Sequence, residues 1–545
     1  MERHQTDVPE ADQKTSNTAP DKGLSTGSPI LGKVLSGSFW LALKTPIAAV
    51  CAFWTIPLLI RTYGDAQFGA YGFAWGFGFF QMLLEFGMSS ALQRQVVTAW
   101  ARGDRKAVEQ SLASGMVFYG IVTLIQSALL LCVAYFAVPL TEYAAADKQL
   151  IVQLLWLQAI TAPCWGLSTV ISSILQAAHR YEVIPRFEVL AVIGRFLALV
   201  IGIWLGWPLL TVVIAQTVVQ IVLILGPAIW IATSEFGMIP GFRGASWSEF
   251  IGMIPLSLWV FMIQLSVVLS DKLDTTVLGF ALTDPGPATS IYQVVSKPFM
   301  QLRQTGWTLA YFVMPAAASL AAARDKGGLD RVKYDGVRLH FGLLLPVGLL
   351  AAIYARPFLE LWVGPGKAQY APMMRLFLVA CLPLILSVPV QVSTGLGHVR
   401  VVALAALGGA VINLPLSYYL TLQLGVVGVI WGTVLTTLFS NLLIPGIYTY
   451  RTLSIDPREF LRRSLAPSLA GALFLGLTCL GLGAFLDASA PGQSAMVKLA
   501  ILIGHLSCAM AAYVAGYLLI PSGREDGGWM MSKFGIGSMK ATPKS

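Results

Sequence analysis

Residues 288–311 read ATSIYQVVSKPFMQLRQTGWTLAY, a run long enough to cross a bilayer that nevertheless carries Lys297 and Arg303. Laid on a helix, Gln293, Lys297, Gln301 and Gln304 fall on one side, with Tyr292, Ser296, Arg303 and Trp307 on an adjoining stripe. That side is too polar for lipid. Lys44, Arg195, Lys272 and Arg375 repeat the contradiction in other apolar runs. A charge at the centre of a membrane helix costs about 2.5–3.5 kcal/mol on insertion scales, so six facing lipid would cost on the order of 15–20 kcal/mol. These cations are therefore expected to line a hydrated interior, and their sign points to an anionic cargo.

The rest of the chain has the composition that such an interior needs around it. Hydrophobic residues make up 56% and charged residues 12%, with a mean hydropathy of +0.71, against about 25% charged in soluble domains. Runs long enough to span begin near Leu35, Phe68, Ser111, Ile151, Val189, Leu209, Ile251, Ala288, Leu339, Ala371, Val401, Val426, Leu465 and Ala495, fourteen in all. The fold class is an all-α polytopic membrane protein. Alternate loops are basic, among them Arg94–Lys106, Arg324–Arg338 and Arg451–Arg463, while the intervening ones offer Arg61, Lys148, Arg356 and Lys367. By the positive-inside rule both termini are expected in the cytoplasm. The net charge of +9 is thus spread over loops, which speaks against nucleic acid as a partner. Residues 1–34 are expected to be a disordered cytoplasmic tail without a cleaved signal, and 521–545 a second cytoplasmic tail.

The chemistry-bearing residues exclude several function classes. Cys51, Cys132, Cys164, Cys381, Cys479 and Cys508 lie in apolar runs and never at C-x-x-C spacing, and no two histidines share a metal-ligand spacing on one helix. No metal or cofactor is expected. A phosphate-cradling G-x-x-x-x-G-K-[ST] loop is missing from the sequence, so ATP hydrolysis by that machinery is excluded. The loops on the outer side are short. A membrane-embedded glycan polymerase or acyltransferase would call for a large outer loop with clustered Arg, or an embedded His with acidic partners. The chain is read as a transporter and not an enzyme.

An internal repeat organises the helices. ALQRQVVTAWARGDRKAV (91–108) parallels MPAAASLAAARDKGGLDRV (314–332), and ILQAAHRYEVIPRFEVLAVIGRFLAL (174–199) parallels VSTGLGHVRVVALAALGGAVINLPL (392–416), with His179 matching His398. The offset is about 220 residues in both, as for two copies of one helical unit. An even number of spans separates the copies, so they are related by an axis along the membrane normal.

The segment PLLIRTYGDAQFGAYGFAWGFGFFQMLLEFGMSSALQRQVV (57–97) resembles the opening of the polysaccharide and O-antigen repeat-unit flippases, within the multidrug, oligosaccharidyl-lipid and polysaccharide exporter superfamily. DKLDTTVLGFALTDPGPATSIYQVVSKPFMQ (271–301) is similar to the start of their second lobe, and FLELWVGPGKAQYAPMMRLFLV (358–379) to a third family segment. The resemblance implies two six-helix lobes, 35–233 and 251–450, around a central cavity that opens alternately to each side, plus two helices in 465–520. It implies a bacterial inner-membrane flippase that moves undecaprenyl-pyrophosphate-linked oligosaccharide to the outer leaflet for polysaccharide assembly, as a monomer, alongside polymerase and chain-length proteins and in contact with membrane lipids. A lipid II flippase shares the carrier diphosphate and stays open as an alternative. A multidrug or cation exporter of the same superfamily would be expected to carry carboxylates in its cavity instead of a cationic surplus.

Arg binds phosphate oxygens bidentately and Lys acts as a point charge, so Arg303 and Arg195 are the first candidates for diphosphate contacts, with Lys44, Lys272 and Lys297 as a supporting field. Gln301 lies on the polar side of the same span, and Tyr292 and Trp307 offer rings to sugars or to packing. Asp271 and Asp274, three residues apart, share a helical face and either neutralise these cations or bind a coupling ion. Glu85, before a glycine, is expected to make a gating or structural contact.

Overall fold

The computed structural model describes residues 29–178, 180, 182–237, 241–247, 251, 261, 265, 268–269, 273–311, 313–398, 400–486 and 495–533. No strand occurs among them. The first half of the chain supplies α1 (Pro29–Gly76), α2 (Phe79–Leu84), α3 (Met88–Ala101), α4 (Arg105–Cys132), α5 (Ala145–Ala177), α6 (Val183–Trp204) and α7 (Leu209–Ser234). The second half supplies α8 (Asp274–Ala281), α9 (Pro285–Tyr311), α10 (Val313–Ala322), α11 (Lys326–Ile353), α12 (Ala355–Trp362), α13 (Ala371–Val379), α14 (Ser387–Gly395), α15 (Arg400–Leu424), α16 (Val426–Thr437) and α17 (Ile444–Thr452). Then come α18 (Ala466–Leu486), α19 (Ala495–Leu519) and α20 (Pro521–Lys533).

Eleven helices among the described residues are long and apolar enough to cross a membrane, against the fourteen spans expected. Each difference has a physical origin. The first two expected spans run together as Pro46–Leu84, bent at Gly64, whose φ of 81° suits a residue without Cβ. The seventh lies mostly outside the described residues. The eighth, α9, is helical throughout, but its lysine, arginine and glutamines lower its hydropathy.

The repeat is visible in the local chemistry. Asp104 caps α4 by accepting from the Ala107 amide at 3.0 Å, and Asp325 caps α11 by accepting from Gly328 at 2.8 Å. The two caps stand in corresponding places of the aligned segments. Each satisfies an amide that the first helical turn leaves open, worth roughly 1 kcal/mol.

Packing divides the molecule along its long axis. At the end of the less basic loops, labelled the outer end for the side on which those loops are expected, one core draws on both halves: Ile60, Phe68, Phe73, Tyr143 and Leu154 meet Leu278, Tyr292, Phe299, Phe377 and Val429. At the end of the basic loops, each half keeps its own core. Leu92, Val96, Leu112, Tyr119, Ile171 and Leu175 form one, and Tyr334, Val337, Phe341, Val388 and Val392 the other. The two halves therefore close against each other at the outer end, and among the described residues share no core at the basic end. The last two spans attach to the second half, with Leu475, Leu502 and Tyr513 against Leu350 and Tyr354.

The segment expected as a C-terminal tail begins with α20. Its Asp526, 6% exposed, receives Nε and one terminal nitrogen of Arg338 at 2.7 and 2.6 Å and the Tyr517 hydroxyl at 2.6 Å. A buried cation on α11 thus needs an anion, and α20 brings it.

Candidate functional site: a polar stripe below a closed seam

Glycines make the closure at the outer end. A Cβ added to Gly69 would sit 1.8 Å from the Gly286 carbonyl oxygen, and one added to Gly279 would sit 2.0 Å from the Phe73 ring. Only residues without a side chain let α1 approach α9 at Gly69–Gly286 and α8 at Gly279 this closely. Polar groups pin the same seam. Asp65 accepts from the Ser290 hydroxyl at 2.6 Å and from the Lys367 ammonium at 2.5 Å, and the Tyr143 and Thr289 hydroxyls meet at 3.2 Å. Every one of these contacts joins the first half of the chain to the second.

Below the seam α9 is two-faced. Tyr292, Val295, Ser296, Phe299, Leu302, Gly306 and Ala310 are buried, whereas Lys297, Gln301, Gln304 and Thr308 are exposed. Steps of four, three and four residues align those four on one stripe. An exposed stripe with a charge and two primary amides is too costly to lay against hydrocarbon, so it borders water. Arg303 stands to one side, its guanidinium 5.2 Å from the Phe299 ring centroid and 3.7 Å from the Met300 sulfur. Trp307 is half-buried against the shared core.

Two residues expected beside the stripe belong to the interior of the second half. Tyr292 is 3% exposed and gives its hydroxyl to Asp274 at 2.5 Å, while its ring meets Phe377 edge-on. Asp274, 2% exposed, also accepts from Thr433 at 3.0 Å. Helical spacing places Tyr292 next to the polar stripe, but it cannot tell which flank of the stripe packs. Asp271 and Lys272 lie outside the described residues.

The first half contributes its own charges. Lys44 on α1 pairs with Glu188 on α6 at 2.8 Å, a partner that sequence reading missed because Glu188 precedes the apolar run beginning at Val189. Two helical turns further along the same face of α6 comes Arg195, close enough to the Tyr71 phenol to interact with its charge. Among the described residues, no carboxylate pairs with the Arg195 guanidinium. Glu85 accepts from the Tyr119 hydroxyl at 2.8 Å, just before Phe86 and Gly87, whose φ values of 48° and 69° break the chain between α2 and α3. It anchors a bend. Arg375 donates to the Ala352 carbonyl at 3.0 Å, and Lys498 pairs with Glu360 at 2.9 Å, both near the outer ends of their helices.

A family model described as polysaccharide biosynthesis protein matches residues 34–304. That stretch, about half of the chain, is similar to this family. Among curated relatives, an uncharacterized membrane protein of Bacillus subtilis (strain 168), EpsK, is 27% identical over 237 residues, a match covering 41% of this chain and 44% of the relative. The chain thus spans less than half the length of the relative it matches. Two solved structures share the fold. Lipid II flippase MurJ in an inward closed conformation has a TM-score of 0.65 at 14% identity, over 88% of this chain and 98% of that one. A multidrug resistance MATE family transporter of the MOP superfamily, inward-facing, has a TM-score of 0.61 at 12% identity, over 75% and 98%. At such identities the structures speak for the fold alone, which together with the apolar helices is that of a multi-pass membrane protein.

Proposed function

We propose that this chain moves undecaprenyl-diphosphate-linked oligosaccharide units from the cytoplasmic to the outer leaflet of a bacterial inner membrane, for assembly of a surface polysaccharide. The observation that carries this reading is the exposed stripe Lys297–Gln301–Gln304 on α9, a cationic and hydrogen-bonding wall inside an apolar helix bundle. A sugar headgroup and its diphosphate must otherwise shed their water in hydrocarbon. The wall replaces that water: Lys297 attracts phosphate as a point charge, Arg195 grips it in a bidentate manner, and the glutamine amides take sugar hydroxyls. The two halves act as the lobes 35–233 and 251–450 of one monomer, rocking about the cavity, with both termini cytoplasmic. Downstream polymerase and chain-length proteins receive the cargo. An inside-negative potential favours outward transfer of an anion by about 2.3 kcal/mol per charge per 100 mV, so no coupling ion is required.

The test is transfer of a fluorescent undecaprenyl-diphosphate oligosaccharide across proteoliposome membranes, with lipid II as a second probe. The intact protein is expected to move the first probe, faster under an inside-negative potential, and Lys297→Gln with Arg195→Gln to lose at least about tenfold. Full transport by the double variant, or movement of lipid II alone by the intact protein, overturns the reading.

A further inference from the structure

The part of α1 that follows the bend at Gly64 carries a feature that the diphosphate contacts do not use. Phe68, Tyr71 and Trp75, at steps of three and four, stack their rings along one face of the helix. The centroids of Phe68 and Tyr71 are 6.4 Å apart with planes at 21°, and those of Tyr71 and Trp75 are 5.3 Å apart at 25°. The column runs from the closed seam toward the basic-loop end and stops at Trp75, which is 38% exposed. Its far face has no ring against it. Exposed membrane tryptophans often face lipid, but the surroundings here are polar. A Cβ on Gly72 would lie 1.9 Å from the Gln293 amide nitrogen and one on Gly76 2.6 Å from the Thr275 hydroxyl, so both glycines abut polar side chains, and the Tyr71 phenol lies within electrostatic reach of Arg195. Neither the Trp75 indole N–H nor the Tyr71 hydroxyl has a hydrogen-bond partner among the described residues. Tyrosine and tryptophan normally find one when they leave bulk water.

We infer that Trp75 is a sugar-stacking platform: the carbohydrate next to the diphosphate lays the apolar C–H face of its ring on the open face of the indole, continuing the column, while Arg195 holds the phosphates. The inference rests on the function proposed above and deepens it, because it divides recognition between two residues. Arg195 reads the anion, common to every cargo of this carrier. Trp75 reads the presence of a ring, through a flat apolar surface that tolerates many sugars.

Two probes separate the roles: undecaprenyl diphosphate bearing a fluorescent N-acetylglucosamine disaccharide, and labelled undecaprenyl diphosphate without sugar. Trp75→Ala is expected to slow transfer of the glycosylated probe by about threefold to tenfold, the range for one aromatic contact, and to leave the sugar-free probe at the wild-type rate. Trp75→Phe, which keeps a ring, is expected to recover most of the loss, and Arg195→Gln to slow both probes alike. Equal slowing of both probes by Trp75→Ala, or no slowing of either, overturns the platform while leaving the transport reading intact. If the intact protein moves neither probe, the transport reading itself fails and the platform with it.

Discussion

The two ends of this molecule are built by different rules. At the outer end the halves share a core, glycine backbones touch across α1 and α9, and Asp65 bridges to Ser290 and Lys367. At the basic end each half packs on itself, and the strongest polar cluster, Arg338 with Asp526 and Asp335, ties elements of the second half to one another. Contacts between the halves therefore concentrate at the outer end, and contacts within one half at the other. Near the seam, the Thr275 hydroxyl, which faces Gly76, and the neighbouring Thr276 hydroxyl are buried without a partner among the described residues, and an unsatisfied buried hydroxyl costs about 1–3 kcal/mol.

The largest expected effect comes from welding the seam. The Ala66 Cβ lies 3.6 Å from the position of a Cβ on Gly286, within the usual span of a disulfide. In a background lacking the six native cysteines, Ala66→Cys with Gly286→Cys is expected to cross-link under mild oxidant and abolish transport in proteoliposomes, with full recovery on reduction. Transport that persists in the cross-linked protein would break the comparison, since it would mean that the outer end need not open.

How much of this was legible in the sequence depends on distance along the chain. The all-helical membrane fold and the polar side of α9 were readable, because a charge in an apolar run announces itself and helical spacing aligns its neighbours. The exposed stripe Lys297–Gln301–Gln304 follows that spacing. What needed the fold was everything decided by a remote partner. Lys44 meets Glu188 from 144 positions away, and Arg338 meets Asp526 from 188. Tyr292 looked like a cavity residue by spacing, and only packing against Phe377 turns it inward. The Gly69–Gly286 contact is equally silent, since a glycine in a membrane helix is too common to mark a seam. Eleven spans stand out among the described residues where fourteen were expected, partly because the bend at Gly64 joins two expected spans and because the very residues that make α9 interesting also make it polar.

A smaller effect sharpens the other half of the comparison. Arg338 and Asp526 are 4% and 6% exposed, and removing one partner of a buried pair costs about 3–5 kcal/mol because the other charge is stranded. Arg338→Ala is expected to lower the unfolding temperature of the detergent-solubilised protein, while Arg338→Met with Asp526→Leu recovers much of the loss. Neither variant is expected to alter the rate of the 66–286 cross-link. A change in that rate would show that the basic-end cluster couples to the seam, and the division of labour would not hold.

The smallest effect concerns the ion pair at the seam itself. Lys367 and Asp65 touch at 2.5 Å, but their side chains are 13% and 33% exposed, so water and salt screen much of the attraction, and such pairs are worth about 0–1 kcal/mol. The glycine contacts and the shared core therefore carry most of the closure, and the pair trims the balance. Lys367→Ala is expected to raise the outer end's open population by up to about fivefold, read as faster labelling of Ala66→Cys by an impermeant thiol reagent applied from the side of the outer loops. Exchanging the charges, with Asp65→Lys and Lys367→Asp, should restore slow labelling if attraction across the seam is what matters. Labelling that stays fast after the exchange would assign the effect of Lys367 to its packing against Tyr370, which its ammonium approaches to 5.8 Å, and would leave the seam held by shape alone.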